Sequence, residues 1–135
     1  MTNTNRKTGT GFEKDLCMSL AGYGFWCHNL AQNSQGQPFD VLAARNGVCY
    51  PIDCKVCDKD WFRLERVEEN QYCAMSLWRQ TGNGNGWFAL RLNNGEVWFL
   101  SLEALDRAAL TRKTLYLSEI KQFGLTLREW VAQCK

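Results

Sequence analysis

Apolar positions recur along this chain in two rhythms, and the changes between them mark its elements. Phe12, Leu16 and Leu20 fall at helical spacing with Glu13, Lys14 and Asp15 in the first turn, which predicts a helix from Gly11 to about Gly22. The aromatic-rich residues 23–29 suit a strand. Residues 38–44 and 48–55 read as a hairpin around Asn46-Gly47, the dipeptide favoured in two-residue turns because both central residues need φ > 0. The pattern over residues 65–79 predicts a helix with Val67, Gln71, Ala74, Met75 and Trp78 on one side, and the glycine-rich residues 81–86 stop it. Residues 87–92 and 96–100 form a second predicted hairpin, in which Trp87, Phe88, Trp98 and Phe99 are paired sheet residues. Short helices follow near residues 102–110, 118–123 and 126–133. The order α-β-β-β-α-β-β-α describes an α/β sandwich in one domain, with residues 1–8 as a flexible basic arm.

Composition narrows the class without naming a chemistry. With 135 residues, 45% of them apolar, and six tryptophans, the chain can bury a core of its own. A net charge of +2 is mild, so any nucleic-acid footprint must come from local clusters. Arg6, Lys7 and Lys14 form one; Lys59, Arg63 and Arg66 form another, diluted by nearby carboxylates. Trp61 and Phe62 sit beside the second cluster at spacings that fit core packing. No apolar leader opens the chain and no stretch approaches the roughly 20 apolar residues of a membrane span, so the expected location is cytoplasmic, bacterial or that of a phage host. Seven cysteines in that setting read as reduced thiols. A zinc or redox module built on Cys54 and Cys57 is a rival that lacks a second ligand pair.

The first hairpin holds the candidate chemistry. If Arg45 pairs with Val48 across the turn, Asp40 faces Asp53 directly. Facing carboxylates repel, and a bound cation removes that objection. Alternation also puts Asp53 and Lys55 on one face, with Ile52 and Cys54 on the other. Two acids, a hard cation and an ammonium group fit phosphodiester hydrolysis. The chain has no Gly-x-Ser-x-Gly elbow and no P-loop, and His28 is its single histidine.

Phe39-Asp40 followed by Asp53-Cys54-Lys55 resembles the signature of the PD-(D/E)XK nuclease superfamily, with Asp where Glu is commoner. Residues 7–13, ending in Phe12-Glu13, resemble that family's opening helix motif. Residues 62–71 resemble the corresponding stretch of RecU-type Holliday junction resolvases: Gln71 is kept, Arg63 replaces a proline, and Glu68 and Asn70 replace histidines. The resemblance covers residues 7 to about 127. It implies a restriction-endonuclease-like core with a mixed central sheet of about five strands flanked by helices. It implies catalytic roles for Glu13, Asp40, Asp53, Lys55 and Gln71. Asp40, Asp53 and the Cys54 backbone carbonyl would ligate Mg²⁺, with Mn²⁺ as a substitute, and Glu13 would join directly or through water. Lys55 would assist the attacking water. The implied enzyme is a homodimer that cuts four-way DNA junctions, and the stretch between Glu13 and Asp40 is too short for the long stalk of larger members. Another nuclease of the same fold, restriction-like or single-strand-processing, is the main alternative. A non-catalytic DNA-binding protein is a further one.

Overall fold

The computed structural model describes residues 3–30 and 37–135, with side chains from Gly11 onward. Helix α1 (Asn3–Gly22) leads into strands β1 (Trp26–Asn29), β2 (Val41–Arg45), β3 (Val48–Val56) and β4 (Trp61–Arg63). A single 3-10 turn, Leu64–Arg66, precedes α2 (Glu69–Gln80), β5 (Trp87–Arg91) and β6 (Val97–Ser101). The chain ends with α3 (Leu102–Ala109), β7 (Thr114–Tyr116), α4 (Leu117–Phe123), β8 (Leu125–Thr126) and α5 (Leu127–Gln133).

Six strands form one mixed sheet in the order β1-β2-β3-β5-β6-β8, and β4 pairs with β7 in a separate ribbon. The β3–β5 pairing is parallel and the other pairings of the main sheet are antiparallel. A parallel pair needs a crossover, and α2 lies within it. Alternation along the strands divides the interior in two. Ile52 and Ala89 point toward Phe12, Leu16 and Leu20 of α1 and Trp130 of α5. Phe88, Leu90 and Leu100 point the other way, toward Met75 of α2, Leu105 of α3 and Ile120 of α4.

The first hairpin has the expected register, with Arg45 opposite Val48 and Val41 opposite Ile52. Asn46 and Gly47 hold φ of 53° and 78°, as a two-residue turn of this type requires. Trp87, Phe88, Trp98 and Phe99 lie in the paired strands β5 and β6, as expected.

Several boundaries differ from the sequence reading. Helix α1 begins at Asn3 rather than Gly11, so the backbone of residues 3–8 is helical. The buried Phe12, Leu16 and Leu20 anchor its second half, and no proline stops it from propagating backward. Helix α2 starts four residues later than expected, because β4 keeps the preceding chain extended and Leu64 N–H bonds to the Lys113 carbonyl at 2.9 Å. Strands β4, β7 and β8 were not expected, and the main sheet has six strands rather than about five. Cys54 packs against the α1 core while Cys57 belongs to the opposite one. Those two thiols lie across the sheet from one another, which removes the shared zinc or dithiol site as a reading.

Candidate active site

The candidate site is built at the end of the sheet where β2 begins and β3 finishes. Asp40 precedes β2 by one residue. Its N–H donates to the Ile52 carbonyl at 3.1 Å, its carbonyl accepts from Leu30 N–H at 2.9 Å, and its Oδ2 accepts from Cys54 N–H at 2.8 Å. The ladder therefore stops at Val41–Ile52, and a side chain takes over the next backbone donor. This corrects the expected direct facing of Asp40 and Asp53, although the two carboxyls remain neighbours.

Asp53 is completely buried on β3. Its Oδ1 accepts from Gln71 Nε2 at 3.0 Å, and its Oδ2 lies 3.1 Å from Lys55 Nζ. That Oδ2 has the ion pair but no donor in hydrogen-bonding geometry. Lys55 Nζ also donates to Gln71 Oε1 at 3.0 Å. The same Oε1 accepts from Glu68 N–H at 3.2 Å, satisfying a backbone donor at the start of α2. Gln71 thus joins the acid, the base and a helix terminus. Both polar ends of this buried side chain are used, so it serves structure and site together.

Burial dominates the electrostatics. It pushes the Asp53 carboxyl well above the usual range, with Asp40 adding to the rise and Lys55 opposing it. Glu13, on the α1 turn beside Asp40, is pushed up to about 7 by burial first, then by the Asp40 charge and a hydrogen bond with it. Glu13 and Asp53 are thus carboxyls whose charged forms their surroundings disfavour, with Asp40 beside each. An oxygen-seeking divalent cation fits such a donor set, and the unsatisfied, buried Asp53 Oδ2 is aimed at the crowding. Among the described residues, no three His, Cys, Asp or Glu side chains stand together as a ready metal site.

The expected DNA-contacting cations divide into three cases. Lys14 is exposed on α1, next to Glu13. The side chains of Arg6 and Lys7 lie outside the described residues. Lys59, Arg63 and Arg66 are exposed and converge on a cleft of about 270 Å³ shared with Cys57, Asp58 and Trp61. Trp61 is exposed rather than packed in the core, whereas Phe62 behind it is fully buried. Sequence reasoning overlooked Arg91. It ends β5 opposite Val56, sits 5.0 Å above the Phe12 ring and lies 3.7 Å from Asp15 Oδ2. It therefore clamps the turn of α1 that carries Glu13, and the β3–β5 pairing alone reveals this.

Replacing Gln71 by alanine strips one partner each from Asp53, Lys55 and Glu68 N–H. Unfolding in urea should show a loss of about 1–3 kcal/mol. Cleavage should drop roughly 10- to 100-fold, as when a residue that orients metal ligands is removed. An unchanged urea midpoint would show that solvent replaces the network without cost.

Acidic residues at the start of one hairpin strand and on the next, with Asp-x-Lys on the second, define a metal-dependent nuclease of the PD-(D/E)XK class. The family model for archaeal Holliday junction resolvase (Hjc) matches residues 4–135, and the chain belongs to that family. It is accordingly a metal-dependent DNA endonuclease that acts on Holliday junctions. Among solved structures, Hjc of Archaeoglobus fulgidus, a Holliday junction resolvase from an archaeal hyperthermophile, is similar at a TM-score of 0.70. The two share 23% identity over 95% of this chain and 98% of that one, a likeness of fold. No curated protein matches the sequence. The family corrects the RecU-type affiliation. The residues that separate the chain from that subfamily, Glu68 and Asn70 in place of histidines, are both exposed, and Asn70 Nδ2 ties α2 to the Gln37 carbonyl at 3.2 Å. Among the described residues no helix is long and apolar enough to cross a membrane.

Proposed function

We propose that Asp40 and Asp53, with the Cys54 backbone carbonyl, hold Mg²⁺ at this site, that Mn²⁺ substitutes for it, and that Glu13 completes the cluster directly or through water. The observation that carries this reading is the buried Asp53 carboxylate, one oxygen of which has no hydrogen-bond donor while Asp40 and Lys55 stand beside it. When bound, the ion supplies an activated water and neutralises charge on the phosphate under attack. Lys55 has three N–H donors; one engages Gln71, and the ammonium group stands 3.1 Å from Asp53 Oδ2. A remaining donor serves the attacking water or a phosphate oxygen, and the contacts with Gln71 and Asp53 fix where the ammonium group sits. Lys14, Lys59, Arg63 and Arg66, with Arg6 and Lys7, take the phosphates that flank the cut, so affinity should fall steeply with salt. Because resolution requires cuts in two opposed strands, the working enzyme is a homodimer with two sites.

Incubation with a synthetic four-way junction, linear duplex and single strands, each with Mg²⁺ or EDTA, tests this reading. Paired symmetric nicks in the junction alone, abolished by EDTA, are expected. Equal cutting of plain duplex would overturn junction selectivity and favour the restriction-like alternative.

The raised Glu13 carboxyl makes a further prediction. A carboxyl whose folded pKa exceeds its unfolded value is accommodated in its protonated form. Its charge is increasingly penalised as pH rises from 4.5 to about 7. The metal-free protein should therefore lose stability across that window, and Glu13→Gln should flatten the slope. Mg²⁺, which requires the ionised form, should raise Tm more at about pH 8 than at about pH 6 relative to EDTA. An identical shift at both values would place Glu13 outside the metal's reach.

A further inference from the structure

The outward face of the β4–β7 ribbon carries side chains that neither core uses. Along β4 the burial alternates, so Phe62 points inward while Trp61 and Arg63 point out. Trp61 pairs across the ribbon with Tyr116, and their rings meet edge to face with centroids 6.2 Å apart. Both stay substantially exposed, at 40% and 58%. Trp61 also walls the cleft of about 270 Å³ that Lys59, Arg63 and Arg66 line, with Asp58 as its one carboxylate. Arg66 is held in place there, its guanidinium 5.7 Å above the Phe62 ring and its Nη1 3.7 Å from Cys57 Sγ.

Two exposed aromatic rings braced on a ribbon, beside three cations around a cleft, form a surface of mixed character. Arg63 has Glu65 3.8 Å away, but a purely apolar partner would leave Lys59 and Arg66 unmatched, and a purely anionic one would leave the indole face unused. A nucleotide satisfies both, through a flat base for the ring and a phosphate for the cations. In continuous duplex the base faces are already stacked on one another, so only bases that lack a stacking neighbour, in a single strand or on the end pairs at a branch, present them. The cleft also adjoins the catalytic strand: β3 carries Asp53 and Lys55 and runs straight into Cys57 on the cleft wall. A strand lying across the site can therefore continue along the ribbon.

We infer that the β4–β7 ribbon is a platform for unstacked DNA bases, on which Trp61, braced by Tyr116, stacks a base while Lys59, Arg63 and Arg66 hold the adjoining phosphates. The inference rests on the nuclease reading for its substrate and assigns the ribbon to the branch point, where the end pair of each arm can lose its stacking neighbour and expose a base face.

The experiment uses a four-way junction with 2-aminopurine at the branch nucleotides, a second junction with the probe inside an arm, a continuous duplex and a single strand, all in EDTA. Binding of the wild-type protein should change the branch-point fluorescence and leave the arm probe as it was. Trp61→Ala should remove that change and weaken junction binding roughly 5- to 150-fold, with duplex binding little affected. Trp61→Phe should keep most of both, and it carries the test if the alanine variant fails to fold by circular dichroism. The inference is overturned if the wild-type protein leaves the branch probe unchanged, or if Trp61→Ala weakens junction and duplex equally. If the wild-type enzyme with Mg²⁺ fails to cut junctions yet still perturbs the probe in the single strand, the proposed function fails and the platform stands.

Discussion

Asp53→Asn should reduce junction cleavage on the order of a thousandfold while leaving the Tm of the metal-free protein unchanged or raised. The two halves of this result have one cause. Asp53 is the fully buried acid of the site, and burial outweighs the neighbouring lysine in setting its carboxyl. A neutral amide of the same shape relieves the desolvation of the ionised acid, and this outweighs the loss of Lys55's carboxylate partner because Lys55 keeps Gln71 Oε1 at 3.0 Å. The amide also keeps the carbonyl that Gln71 Nε2 bonds at 3.0 Å. Single-turnover cleavage in Mg²⁺ and a thermal melt in EDTA give both numbers. A Tm that drops by several degrees would mean that the Asp53–Lys55 pair is a net stabiliser and that the acid is not strained.

Lys55→Met should do the opposite to stability. It removes the cation that contacts Asp53 among the described residues and leaves the buried carboxylate uncompensated, which costs about 3–5 kcal/mol when one partner of a buried pair is lost. Without Lys55 the Asp53 carboxyl rises further, so protonation relieves the variant at low pH and the penalty grows as pH increases. Urea unfolding at about pH 5 and about pH 8 should show the gap between variant and wild type widening with pH. On the role proposed for Lys55, cleavage should drop roughly 100- to 1000-fold, since a donor for the developing charge is gone. The double variant Asp53→Asn, Lys55→Met should recover most of the lost stability and none of the activity. Additive losses in that double variant would show that the two side chains do not act as a pair.

The first hairpin was legible because its signals are local. Asn46-Gly47 fixes the turn, the turn fixes the register, and alternation then separates Asp53 and Lys55 from Cys54. That chain of reasoning fails at one residue. Asp40 leaves the ladder because its carboxylate outcompetes a backbone carbonyl for Cys54 N–H, and no periodicity announces a side chain that does this. Strands β4, β7 and β8 span two or three residues each, too short for a period to develop, and β4 is defined by a partner more than fifty positions away. Its consequence was that Trp61 read as core when only Phe62 is. Gln71 stood out as a polar residue on an apolar helix face, but its double service to Lys55 and Glu68 N–H needs coordinates. The nuclease class followed from residues that chemistry demands. The choice between resolvase families did not, because the acid-x-Lys signature marks the whole superfamily and the positions compared with RecU-type enzymes, Glu68 and Asn70, are exposed.

The parallel alignment of β3 with β5 has a consequence for how the enzyme comes into being. The acids sit on a hairpin closed by a two-residue turn, an element that forms on a timescale of about 1–10 μs. The glutamine that steadies Lys55 and Asp53 arrives on α2, inside the crossover that must dock before β5 can pair. Such long-range pairings form late, after chain-closure entropy has been overcome. Maturation of the acidic centre is thereby tied to completion of the central sheet. Pulse-labelled hydrogen exchange should find the amides of β2 and β3 that bond each other protected before those that link β3 to β5. A nascent chain would hold the acids early and the trained lysine last, so that cutting power appears only with the finished fold.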